Sequence, residues 1–298
     1  MADEVTVGLD DGDIALEVRG LGKRYRRRQV LRDCTFTVPA GRVTAVAGSN
    51  GAGKTTLLSI LAGLLTPSEG EVLFGGVPGG HERIGFVSQN KPLYRHFSVA
   101  DMLHLGRHLN LGWDQDRAVG LLERFDIALD RRCGKLSGGQ QAQVAFAVAL
   151  GARPSVLLLD EPLANVDPVA RRVVTEELLT EVAETGMTVL MSPHVLTELG
   201  GVADYLLLLS GGRLLLGGDI DDILAAHVRY TSPRSDTPPP HGEVVHARHS
   251  EGQSNFLMRR PPGTVEANPT PDRQWITRPA TLEDLVVAHL TATKERAA

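Results

Sequence analysis

Between Gly48 and Thr56 the chain reads GSNGAGKTT, directly after the apolar run Val43–Gly48 and ahead of a helix-forming stretch. Glycines let a backbone wrap closely around an anion, and the exposed N–H groups of a helix start present positive partial charge to it. In this setting Lys54 can reach the β- and γ-phosphates of a nucleotide as a point charge, and the Thr55 hydroxyl is placed for Mg²⁺. An ordinary glycine-rich turn is the plainer alternative, and the flanking strand and helix weigh against it. Further on, SVLLLDEP ends a buried apolar run in Asp160 and Glu161. Two adjacent carboxylates at a strand end leave the sheet on different sides. Asp160 can then serve a metal through its waters while Glu161 faces and partly deprotonates an attacking water, which is the positioning that phosphoryl transfer needs.

A third stretch, KLSGGQQAQVAFAVAL from Lys135 to Leu150, contradicts itself. Ser137 and Gln140 have the spacing of a capping box, so a helix should begin there. Gly138 and Gly139 fill its first turn, and each costs a helix about 1 kcal/mol relative to alanine. Local pattern alone gives no reason to weaken a helix start that is also well capped.

Taken in order, Gly48–Thr56, LSGGQ (Leu136–Gln140) and LLLDE (Leu157–Glu161) resemble the nucleotide-binding subunit of an ATP-binding-cassette (ABC) transporter. The resemblance covers about Ile14 to His227, and LSGGQ matches the family signature without a substitution. It implies ATP and Mg²⁺ as cofactors, held by Gly48, Ser49, Asn50, Gly51, Ala52, Gly53, Lys54, Thr55 and Thr56, with Thr55, Gln89 and Asp160 about the metal. It implies that Glu161, His194 and Gln89 serve the attacking water, and that Tyr25 stacks on adenine. Stacking reads a π-face, so it discriminates poorly between bases.

In the family the signature of one subunit faces the nucleotide held by a second. Ser137, Gly138, Gly139 and Gln140 are therefore expected at the γ-phosphate of a partner cassette, with Gly139 bare so that no Cβ separates backbone from phosphate. Asp167, in NVDP, is expected to cross the same interface, and it can also cap the helix that starts at Pro168. The basic run Lys23, Arg24, Arg26, Arg27 and Arg28 reads as a solvated charge cluster. Ser49 stands where many members carry proline, and Pro193 restricts Ser192 to extended conformations. QAQVAFAVAL lacks the basic residues that often follow the signature.

The elements that position these residues alternate. Strands are expected at Val43–Gly48, Ile84–Gln89, Ser155–Asp160, Met187–Ser192 and Tyr205–Ser210, apolar at nearly every position as buried parallel strands are. Helices are expected near Lys54–Leu64, Val99–Leu109, Asp114–Phe125, Gly138–Leu150, Pro168–Thr185 and Ile220–His227. The fold class is α/β: a P-loop cassette with a mixed sheet core, an inserted helical subdomain at about 98–136 and a small C-terminal α+β appendage. Residues 1–13 are expected to form a disordered arm, 14–227 the cassette, 228–242 a linker, and 243–298 an accessory domain.

With 298 residues, 42% of them hydrophobic and 22% charged, the chain is globular rather than disordered. A net charge of −5 supplies no footprint for nucleic acid. Cys34 and Cys133 lie far apart without metal-ligand spacing and read as reduced thiols. The acidic N-terminus has no signal-peptide core, and no run approaches the ~18 apolar residues of a membrane span. The expected partners are therefore a separate membrane permease and a second cassette, identical or paralogous, with the chain peripheral on the cytoplasmic face of the membrane. NKPLYRHFSVADML resembles exporter-type cassettes, and TLEDLVVAHL the C-terminal segments of those serving drug- or antibiotic-export permeases, so export of a drug, antibiotic or lipid-like substrate is expected. A soluble cassette ATPase acting on nucleic acid or ribosomes is the alternative. The short interval between P-loop and signature, without sustained heptads, and the single cassette both disfavour it.

Overall fold

The computed structural model describes residues 14–78, 83–90, 93–164, 166–193, 195, 201–239, 242–260 and 275–297. At its centre lies a six-stranded sheet in the order β10-β9-β3-β8-β7-β6. Its strands are β3 (Val43–Gly48), β6 (Ile84–Val87), β7 (Val156–Asp160), β8 (Thr188–Ser192), β9 (Tyr205–Ser210) and β10 (Arg213–Asp219). All neighbours pair parallel except β9 and β10, which form an antiparallel edge. The side chains alternate between two cores, as a period of two demands. Ala45, Leu157, Leu159, Val189 and Leu206 enter one core, and Val46, Leu158, Leu190 and Leu207 the other.

The second core is closed by a sheet that the apolar runs did not announce. β1 (Ile14–Tyr25), β2 (Arg28–Pro39), β4 (Glu69–Phe74) and β5 (Val77–Pro78) pair antiparallel in the order β2-β1-β4-β5. Only one face of this sheet is apolar, so IALEVRGLGKRY carries charge between its inward Leu16, Val18 and Leu21 and lacks the continuous hydrophobic signal of β7. Helix α1 (Lys54–Leu61) packs in the same core through Leu57, Leu58 and Leu61. It stops three residues before the expected end.

The helical block forms on the opposite core. α2 (Val99–Leu109) starts at a capping box of Ser98 and Asp101. α3 (Gln115–Arg124) is capped by Asp114, and both helices pack against α4 (Gly138–Gly151). α5 (Pro168–Thr185) runs over the expected span, with proline in its first turn and Gly186 at its C-cap. Glu177 and Glu181, one turn apart on α5, pair with Arg124 and Arg117 of α3.

The C-terminal segment differs most from expectation. Helix α6 (Ile220–Ala225) ends early because β11 (His227–Pro233) begins where a linker was expected. β11 is a central strand of a four-stranded antiparallel sheet with β12 (Glu243–His249), β13 (Gln253–Arg259) and β14 (Ile276–Pro279), in the order β12-β13-β11-β14. The last helix, α7 (Leu282–Ala297), inserts Leu285, Val286 and Ala288 into the core that holds Ala45 and Leu206. The tail is thus packed onto its own cassette. The arm expected at 1–13 lies outside the described residues, and no described helix is long and apolar enough to cross a membrane.

His227 sits at the junction of the two parts, 5% exposed, with Nδ1 2.7 Å from the Ile223 carbonyl and Nε2 buried without a partner among the described residues. Burial, helped by the charge of Arg259, pushes its pKa below the usual 6.5 against the opposing effect of the Ile223 bond. The unfolded chain then takes up the proton more readily, so this contribution to stability is complete above about pH 6.5 and is lost as the pH falls below it. The melting temperature is expected to drop less between pH 7.5 and 5.5 in His227→Gln than in the parent. Equal drops would assign the acid sensitivity elsewhere.

Candidate functional site

The phosphate loop is built by the sheet edge beneath it. β3 runs out at Gly48, where a Cβ would stand 2.4 Å from the Leu209 carbonyl oxygen. The loop then reaches Gly53, the N-cap of α1, at φ +109° with no side-chain cap and no acidic residue in the helix's first turn. The positive end of α1 is therefore open to an anion. Lys54 Nζ lies across the loop, 2.9 Å from the Gly48 carbonyl and 3.4 Å from that of Ser49. Burial lowers its pKa, and the charges of Glu161 and Asp160 oppose that shift.

Across the cleft, β7 delivers the two carboxylates to different environments. Asp160 is 1% exposed and accepts a hydrogen bond from Ser192 Oγ at 2.6 Å, while its other oxygen, Oδ2, is buried without a partner among the described residues. Such an orphan oxygen is costly unless a ligand or its water completes it. Together with the Thr55 hydroxyl in the cleft, it suits a hard divalent cation, which Mg²⁺ is. Glu161 turns out of the strand at φ +47°, a left-handed conformation that costs a non-glycine residue about 1–3 kcal/mol. Its N–H donates to the Ser192 carbonyl at 3.0 Å, which holds the turn, and Gln89 Nε2 donates to its Oε2 at 2.9 Å. Gln89 stands two residues beyond β6.

Asn50, Gly51, Gly53, Lys54, Thr55, Thr56, Gln89 and Glu161 all line one open cleft of about 470 Å³. Arg28 and Val30 line it too, and sequence reasoning had set Arg28 aside. Ser192 was also missed. Its signal is the parallel register that places it beside Asp160, and register is invisible in the one-dimensional pattern. Its place in β8 accords with the extended backbone that Pro193 imposes.

Other residues stand apart from this cleft. Tyr25 ends β1 opposite Arg28, with Lys23 Nζ 5.2 Å from its ring centre. Ser137 and Gln140 complete their capping box at the start of α4, and Asp167 Oδ1 accepts from the N–H groups of Val169 and Ala170. Neither helix tip lines the cleft. The two glycines of LSGGQ, both expected bare at the helix tip, stand in different surroundings. Gly139 is buried in its own chain, whereas Gly138 is exposed with open space where a Cβ would stand. His194, expected near the γ-phosphate, lies outside the described residues.

Fold and cleft together define a P-loop nucleotide-binding cassette, with a mixed sheet and an inserted helical block. A family model described as ABC transporter matches residues 31–164, and the chain belongs to that family. It is 38% identical over 225 residues to the Fe(3+) ions import ATP-binding protein FbpC of Serratia marcescens, covering 70% of this chain and 64% of that protein. It is 34% identical over 234 residues to the sulfate/thiosulfate import ATP-binding protein CysA of Brucella melitensis, covering 74% and 64%. The chain thus spans slightly under two-thirds of the length of these curated relatives. Among solved structures, cbiO1 of Clostridium perfringens, described as part of the ABC transporter complex cbiONQ, superposes with a TM-score of 0.61 at 30% identity. That match covers 72% of this chain and 91% of cbiO1.

Proposed function

We propose that this chain binds ATP with Mg²⁺, hydrolyses it jointly with a second cassette, and thereby powers a separate membrane permease from the cytoplasmic face of the membrane. The observation that carries this reading is the convergence of Lys54, Gln89 and Glu161 on one cleft, with the unsatisfied Asp160 Oδ2 behind it. Lys54 and the start of α1 neutralise the β- and γ-phosphates. Glu161, oriented by Gln89 and by the Ser192 anchor, takes a proton from the attacking water. Thr55, Asp160 and Gln89 are the residues that would hold Mg²⁺, which would supply further charge stabilisation on the phosphate oxygens. Tyr25 offers the ring face not covered by Lys23 to adenine.

The signature residues Ser137 and Gly138 are exposed and absent from the cleft of their own chain, so they serve a nucleotide held by another copy or a paralogue. Asp167 reaches the same interface while capping α5. His194 is assigned to the γ-phosphate by its place after β8.

The export direction expected from NKPLYRHFSVADML and TLEDLVVAHL draws no support from the relatives, both of which are named as import subunits. Closure of two cassettes is a mechanical stroke that either kind of permease can use, so direction and cargo belong to the permease. The names of the relatives and the net charge of −5 both disfavour an ATPase acting on nucleic acid or ribosomes.

Titration of the chain with ATP, with and without Mg²⁺, tests the reading, followed by phosphate release and recovery of a polytopic membrane protein with the tagged chain. Metal-dependent hydrolysis and such a partner are expected. Binding without hydrolysis under any condition, or recovery with ribosomes, would reject it. Gly53→Ala offers a sharper local check. Its Cβ would stand 2.7 Å from Leu31 Cδ2 and 3.2 Å from the Val30 carbonyl, on a backbone at φ +109°. ATP affinity is expected to fall about tenfold or more, with folding stability lowered by about 1–2 kcal/mol.

A further inference from the structure

We propose that Arg28 binds the phosphate chain of the nucleotide and makes affinity depend on the number of phosphates, an inference that rests on the nucleotide reading above. Five basic residues crowd the first hairpin, and the fold separates them. Lys23 Nζ donates to the Thr66 carbonyl and covers Tyr25. Arg26, at φ +50°, and Arg27 occupy the turn between β1 and β2. Of the five, only Arg28 lines the nucleotide cleft.

Its position follows from the hairpin register, which pairs Arg28 directly with Tyr25 and so seats it between the base-stacking ring and the phosphate loop. The reach of its side chain is fixed by a second contact. A Cβ built on Gly51, at the outer tip of the loop, would stand 3.8 Å from the Arg28 Nη2 nitrogen. The guanidinium therefore lies over the loop on the side facing the open cleft. It is exposed, with no hydrogen bond or ion pair among the described residues. The carboxylate on the far wall, Glu161, is held by Gln89. A guanidinium presents paired donors that match phosphate oxygens, whereas an ammonium offers only a point charge. Lys54 from the helix start and Arg28 from above the loop tip thus grip the phosphates together, and Tyr25 need supply only stacking.

The test is displacement of a fluorescent ATP analogue by ATP, ADP and AMP from the full chain and from Arg28→Ala, Arg28→Lys and Arg27→Ala. The expected result is an affinity loss of about tenfold for ATP in Arg28→Ala, shrinking through ADP to AMP. Arg28→Lys should recover part of the loss, and Arg27→Ala should behave like the parent. The proposal is overturned if Arg28→Ala keeps the parent's ATP affinity. Equal losses for all three nucleotides would assign Arg28 to hairpin stability instead, and equal losses in Arg27→Ala would reduce it to diffuse charge. Failure of the parent chain to bind any of the three would remove the nucleotide reading itself, an outcome distinguishable from the others.

Discussion

Glu161→Gln is expected to leave ATP affinity within about twofold of the parent while lowering turnover by about 10²–10³-fold. The substitution preserves the size of the side chain and the backbone anchor, because the Glu161 N–H bond to Ser192 does not involve the carboxylate. It removes the charge that accepts the water's proton. The amide oxygen still accepts from Gln89 Nε2, so the local fold should hold. Removing a carboxylate that faces phosphates should not weaken the grip of Lys54, whose charge it now shares. Two cassettes should therefore close on ATP and stay closed, visible as a dimer on size exclusion in ATP–Mg²⁺. Turnover within tenfold of the parent would place the base elsewhere.

Gly138→Asp should likewise separate folding from turnover: a fold as stable as the parent or slightly more so, and turnover reduced by about 10²-fold or more. The site is exposed, nothing stands where its Cβ would go, and its φ is not positive, so an L-residue fits. An acid in the first turn of α4 complements the helix dipole by about 0.3–1 kcal/mol. The same charge would face the γ-phosphate of a partner's nucleotide and repel it. Gly139→Asp is the less informative variant, since Gly139 is buried and a carboxylate there would burden folding itself. A stable Gly138→Asp chain that hydrolyses ATP at the parent's rate would mean that this helix tip meets no phosphate.

How legible these features were in the sequence depends on what carries them. GSNGAGKTT and the Asp160–Glu161 pair could be read because a backbone that wraps an anion needs glycines and a lysine, and a metal and a water need carboxylates, at set places in the chain. Helices α2 and α5 have the bounds expected of them; the cap at Asp167 was legible beforehand, whereas those at Ser98 and Gly186 are seen only in the fold. The β1–β2–β4 sheet was missed because one solvated face dilutes its hydrophobic signal. β11 was missed because its closing Thr231, Ser232 and Pro233 also suit a loop, and only pairing with β13 and β14 makes it a strand. The distinction between Arg28 and Arg27, the different burial of Gly138 and Gly139, and the bridge of Ser192 to Asp160 all depend on tertiary packing and register, which local pattern does not encode.

Hydrolysis per molecule, followed across serial dilution of the isolated chain in saturating ATP–Mg²⁺, addresses most directly whether a cassette can complete the reaction alone. If the exposed tip of α4 must be supplied by a second copy, the rate per molecule falls steeply once dilution separates the copies and levels off only at high concentration. A rate that stays constant where light scattering finds nothing but monomer would contradict the shared site.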